Sequence, residues 1–148
     1  MILALDVGNT NICIGCFNEG KILFTGRMST DHSKTADEYA IGFNSIIRLY
    51  GYHTGDVVGS IISSVVPPLN PILRDAVKRL TGTTPLQVGP GLKTGLNILL
   101  DNPGQLGSDQ VVDAVAAIHQ YPKPLIVVDM GTATTLSAID GEGRYLGG

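Results

Sequence analysis

Residues 4–15 read ALDVGNTNICIG, and residues 127–138 read VVDMGTATTLSA. Both run through an apolar stretch, an Asp, one further residue, a Gly, a cluster of Asn or Thr, and a second apolar stretch. A short apolar run closed by a polar Gly-containing turn and followed by another such run is the pattern of two strands joined by a tight connection. Glycine leaves no side chain in such a turn. Its neighbours can then offer backbone N–H groups, hydroxyls and amides to an anion. The carboxylate of Asp6 or Asp129 can take part in holding a hydrated magnesium ion, which prefers one or two carboxylates completed by phosphates and water. Two such hairpins facing each other would hold a nucleotide triphosphate. Each taken alone could equally be a polar hairpin turn.

The surroundings of the two copies match. MILALD, NICIGCF and KILFTGRM predict three strands over residues 1–28, the last two joined by Asn18-Glu19-Gly20. PLIVVD, TTLSAID and RYLGG, with GEG as the second turn, repeat the plan over residues 124–148. Between them, Ala36, Tyr39, Ala40, Phe43, Ile46, Ile47 and Tyr50 recur at helical spacing. Thr35 and Glu38 form a capping box, and Gly51 ends the helix. DVVGSIISSVVP is a buried strand ended by Pro67. NPILRDAVKRLTG is a second helix, with Asn70 as N-cap, Pro71 at the first helical position, Gly82 past the end, and Leu73, Ala76, Val77 and Leu80 inward. PLQV is a short strand. Residues 89–107 form a Gly- and Pro-rich crossover, and GPGLKTG within it is a turn, because its spacing and its proline do not suit a dinucleotide loop. GSDQVVDAVAAIHQY is a third helix with Val111, Val115 and Ile118 on one face. The fold class is therefore α/β, a duplicated unit whose second copy is incomplete. The expected domains are residues 1–106 and 107–148.

Composition narrows the function classes. Hydrophobic residues make up 43% of the 148 and charged residues 16%, enough apolar material for a core. A formal charge of −3 leaves no basic stripe for nucleic acid or an anionic membrane. No apolar run approaches the roughly 18 residues that span a bilayer, and the opening MILALDVGNT has no cationic leader pattern, so a cytoplasmic location is expected. Cys13 and Cys16 are three apart on a predicted strand. Their thiols should therefore point to opposite faces, against redox or zinc chemistry.

The combination of DVGNTN (6–11), STDHSKTADEY (29–39), KTGLNILLDNPGQLGSDQ (93–110), DMGTATT (129–135) and YLGG (145–148) resembles the type III pantothenate kinases. These belong to the superfamily of acetate and sugar kinases, heat-shock ATPases and actin, built on a duplicated ribonuclease H-like fold. The resemblance runs along the whole chain. It implies ATP-dependent phosphorylation of pantothenate to 4′-phosphopantothenate, the first step of coenzyme A biosynthesis. It further implies magnesium, a monovalent cation (potassium or ammonium) and a homodimer. Asp6, Val7, Gly8, Asn9, Thr10, Asn11, Ile12 and Cys13 would form the first ATP loop, with Asp6 near magnesium, and Thr132 would touch ATP in the second. Asp129 would hold the monovalent cation. Leu100, Gly107, Ser108, Asp109 and Gln110 would line the pantothenate pocket, with Asp109 accepting the proton of the attacking hydroxyl. On the residues alone, Asp109 opens a helix, where the dipole favours an anionic side chain, and an ordinary cap is the competing role.

Three positions depart from the family pattern. Gln110 stands where Arg is usual and cannot offer a charged fork to a carboxylate. Leu100 stands where many members have Tyr, and Met130 where Phe is usual. The first two fall in the acceptor pocket while the nucleotide motifs are intact. A non-catalytic nucleotide-binding or regulatory relative with an altered acceptor pocket is the alternative, as is a kinase for another small molecule.

Overall fold

Strands β1 (Ile2–Val7), β2 (Asn11–Asn18) and β3 (Lys21–Ser29) form the expected antiparallel meander in the computed structural model, which describes residues 1–148. The β2–β3 turn is tight because Glu19 and Gly20 both take positive φ, 50° and 76°. That is the backbone which matches the twist of a hairpin. Strand β4 (Gly59–Ser64) lies parallel to β1, and β5 (Leu86–Gln87) parallel to β4, giving the order β3-β2-β1-β4-β5.

Helices α1 (Ala36–Leu49) and α2 (Asn70–Thr81) cover one face of this sheet. The capping box forms: the Glu38 N–H donates to Thr35 Oγ1, and the Thr35 N–H donates to the Glu38 carboxylate, both at 3.2 Å. Tyr39, Phe43 and Ile47 of α1 and Leu73, Ala76 and Val77 of α2 meet Leu3, Leu5, Val7, Ile12, Ile14 and Ile62 in one core. Gly82 ends α2 in the left-handed region, as expected. Asn70 is not its N-cap. A 3-10 turn over Pro67–Leu69 runs straight into α2, so Asn70 already has helical angles (φ −55°, ψ −48°) and caps nothing. Two prolines fix φ near the helical value and let the turn lead into the helix without a capping side chain.

A second sheet has the order β6-β9-β8-β7, from β6 (Asn97–Ile98), β7 (Leu125–Met130), β8 (Thr134–Ile139) and β9 (Arg144–Gly147). Strands β7 to β9 repeat the meander of β1 to β3, and β6 adds in parallel at the β9 edge. Helix α3 (Ser108–Gln120) covers one face of it. The expected stripe of Val111, Val115 and Ile118 is displaced. Ala114 is the fully buried residue of α3, packing with Ile118 against Leu125, Val127, Ile139 and Tyr145, while Val111 and Val115 are half-buried. A small residue at the contact lets the helix axis approach the sheet. By contacts the chain divides into compact units Met1–Val88 and Gly89–Gly148. Residues 89–106 thus pack with the second unit, through β6 and through Leu96, Ile98, Leu100 and Leu106. No helix is long and apolar enough to cross a membrane.

Candidate active site

The first loop hangs between the ends of β1 and β2. Val7 pairs with Ile12, leaving residues 8–11 to make the connection, closed by the Gly8 N–H donating to the Asn11 carbonyl at 2.9 Å. Gly8 does not use a left-handed backbone. What it supplies is room, since a Cβ there would stand 3.2 Å from the Asn11 oxygen. Asp6, Asn9 and Thr10 are exposed and Asn11 and Cys13 half-buried, whereas Val7 and Ile12 send their side chains into the core. Of the eight positions expected to surround the nucleotide, Val7 and Ile12 can therefore offer only backbone.

Thr30 pins this loop, a role the sequence reading missed. Its N–H donates to the Thr10 carbonyl at 2.9 Å, and its hydroxyl donates to the Gly8 carbonyl at 2.7 Å. The segment that carries Thr30 is itself held. The buried Tyr39 hydroxyl donates to the Asp31 carbonyl at 2.5 Å and accepts from the Asp31 N–H at 3.0 Å. Ser33 donates its hydroxyl and its N–H to the Asp31 carboxylate, keeping that group below the usual carboxylate range. The only sequence signal was a Thr just past the end of a strand that pairs with the loop's own strand.

Pairing register places a polar row across the sheet beside the loop. Asp6 lies opposite Cys13 on β2 and opposite Ser63 on β4, and Cys13 lies opposite Arg27 on β3. Directly paired residues share a face. The row Arg27–Cys13–Asp6–Ser63 therefore lies on the face away from α1 and α2, at the carboxyl ends of the parallel strands β1 and β4. Ligands of open α/β sheets gather at such ends. Ser63 is 6% exposed, and its buried hydroxyl has no hydrogen-bond partner. Cys16 points the other way, into the core, and burial pushes its thiol up to about 11. Cys13 lies beside Asp6 on the other face, so the two thiols are on opposite sides of the sheet.

The second loop is one residue shorter. Met130 pairs with Thr134, leaving residues 131–133, and the Gly131 N–H donates to the Ala133 carbonyl at 3.2 Å. Asp129 is half-buried, with its carboxylate oxygens 3.8 and 3.9 Å from where a Cβ on Gly131 would stand. Thr132 is exposed at the tip.

Gly107, Asp109 and Gln110 come together in the first turn of α3. Gly107 is the N-cap residue and makes no side-chain cap (φ −60°, ψ 144°). Asp109 sits one position inside the helix, and its Oδ1 accepts from the Gln110 N–H at 2.8 Å. It thus satisfies one first-turn N–H, part of the work of a cap, but from within the helix. A Cβ at position 107 would stand 2.5 Å from the same Oδ1, so glycine is what lets the carboxylate rest there. Leu100 packs with the second core beside Ala114, Ile139 and Tyr145. No group of three or more His, Cys, Asp or Glu side chains could by itself hold a metal ion.

A family model described as type III pantothenate kinase matches residues 2–148. A type III pantothenate kinase of Bacillus cytotoxicus is 49% identical over 148 residues, covering 100% of this chain and 56% of the relative. The chain thus spans about half the length of the curated relatives it matches. Among solved structures, a protein described as an N-acetylglucosamine kinase from Porphyromonas gingivalis superposes with a TM-score of 0.54 at 16% identity. That match covers 99% of this chain and 47% of the other. Likeness at that identity speaks to fold alone, and it agrees with the sugar-kinase and actin-like architecture.

Proposed function

This chain belongs to the type III pantothenate kinase family, and we propose that the full-length protein transfers the γ-phosphoryl group of ATP to the 4′-hydroxyl of pantothenate. Asp109 accepts the hydroxyl proton as that oxygen bonds to the γ-phosphorus. The bond from phosphorus to the β,γ-bridging oxygen breaks, and ADP leaves with the electron pair. The observation that carries this reading is the fit of Asp109 over Gly107, which holds a carboxylate in the first turn of α3 with its Oδ1 on the Gln110 N–H. Phosphoryl transfer depends more on such positioning than on basicity.

The remaining roles follow the family. The loop 8–11, pinned by Thr30, presents backbone and Asn/Thr groups to phosphate oxygens, and Thr132 does so from the second loop. Magnesium fits at Asp6: one exposed carboxylate, with the orphaned Ser63 hydroxyl in the neighbouring register, suits an ion that keeps water and phosphate in its shell. Bound there, it would neutralise charge on the transferring phosphate. Asp129 would hold a monovalent cation. Leu100, Gly107, Ser108 and Gln110 would contact pantothenate, Gln110 through an amide. A homodimer and a cytoplasmic location belong to the same reading.

Pantothenate-dependent ADP release by the full-length protein tests the proposal. Gln110 and the core-packed Leu100 favour the second reading, a nucleotide-binding relative without acceptor chemistry. Nucleotide binding without pantothenate-dependent release would select it.

A further inference from the structure

Ser63 is the buried member of the polar row. Its position argues for a role. Strand β4 holds it directly opposite Asp6, and adjacent strands lie about 4.8 Å apart. It shares the face of Asp6, not the face of Ile62 and Leu5 that meets the helices. It is 6% exposed, and its hydroxyl has no partner within the chain. Buried hydroxyls are normally paired, and an orphan calls for a partner that is not part of the chain. Ser60, on the same strand but the opposite face, is the internal control. It is 7% exposed, and its hydroxyl is satisfied by Thr83 Oγ1 at 3.0 Å.

The reading that Asp6 carries magnesium supplies such a partner, and the inference rests on it. Magnesium gives up its waters reluctantly, so a carboxylate ligand brings bound water with it. A hydroxyl one strand away and more deeply buried is placed to reach that water. We propose that Ser63 is a positioning residue that hydrogen-bonds a magnesium-bound water at Asp6, fixing the ion from the β4 side. Groups that orient a metal's ligands in this way typically change metal affinity tenfold or more when removed.

The experiment compares full-length wild type with Ser63→Ala and with the near-isosteric Ser63→Cys, whose thiol is a weak donor. Calorimetry gives the magnesium concentration for half-saturation at fixed ADP, and separately the affinity for ADP in EDTA. Thermal melting reports the fold. Both variants should need about tenfold more magnesium, with ADP affinity in EDTA within about twofold of wild type. Ser63→Ala should melt no lower than wild type, because an unpaired buried hydroxyl has been removed. Unchanged magnesium dependence, or an equal loss with and without magnesium, would overturn the role of Ser63 while leaving the kinase reading intact. A wild-type protein that binds no magnesium nucleotide would overturn both.

Discussion

At Gly107 the backbone is ordinary, and only space demands a glycine. Gly107→Ala keeps the helix start but drives a methyl group against Asp109 Oδ1. The carboxylate must rotate and give up the Gln110 N–H. We expect pantothenate phosphorylation to fall by about 10- to 100-fold, as small misplacements of reacting groups do, with stability lowered by no more than about 1 kcal/mol. Steady-state kinetics beside thermal melts separate the two; equal losses would make Gly107 merely structural. Thr30→Val should lower nucleotide affinity by roughly fivefold by freeing the loop carbonyl of Gly8, the net value of about one hydrogen bond, and calorimetry with ADP measures it. Cys16 gives a pH prediction. Its folded-state pKa, about 11, lies above its ordinary 9.0, so the folded state holds the proton more tightly. That contribution is complete below pH 9 and is lost as pH rises from 9 toward 11. Cys16→Ala lacks this contribution, so the stability gap between wild type and variant should narrow across that window in melts at pH 8 to 11.

Among the elements, α1 was the most legible and shows why. Its signals are local: a Thr-x-x-Glu start, an apolar face at helical spacing, and a glycine stop. The β2–β3 hairpin was legible for the same reason, through Glu19-Gly20. What could not be read depended mostly on partners distant in sequence, with Asn70 the local exception. Asn70 looked like a cap because the sequence does not say that Pro67 and Pro68 wind the approach into a turn. The inward face of α3 was set by the sheet it meets, where Ala114 fits and the valines sit to the side. In the candidate site, Asp6, Asp109 and Asp129 stood out by motif. Thr30 and Ser63 did not, since one acts through strand-end hydrogen bonds and the other through parallel register. The close packing of α1 on β3 is testable at Gly26, where a Cβ would stand 2.5 Å from Ile46 Cγ2 and 3.4 Å from the Tyr50 ring. Ile46 is β-branched and stiff in a helix, so Gly26→Ala should cost about 1–3 kcal/mol through overpacking. Urea unfolding reads this directly, and a neutral result would mean that α1 can shift outward freely.

Across the whole molecule, the duplication makes each unit a guide to the other. In the first sheet, Leu3, Leu5 and Val7 are at most 2% exposed beneath α1 and α2. Their counterparts in the second meander are Ile126, Val128 and Met130, which are 70%, 53% and 82% exposed, with Leu136 beside them at 57%. Helix α3 covers the opposite face. Apolar faces of this kind find a partner, so the 148-residue chain alone should self-associate with rising concentration in light scattering, and Val128→Lys should reduce it. A stable monomer would contradict this. The kinase assignment itself has a more direct test. Full-length wild type and Asp109→Asn should be incubated with magnesium ATP and pantothenate, and 4′-phosphopantothenate followed by mass spectrometry. The account predicts product from the wild type, and from Asp109→Asn a rate lower by about 100-fold or more with ADP binding retained. No product from the full-length wild type, or an undiminished rate from the variant, would contradict it.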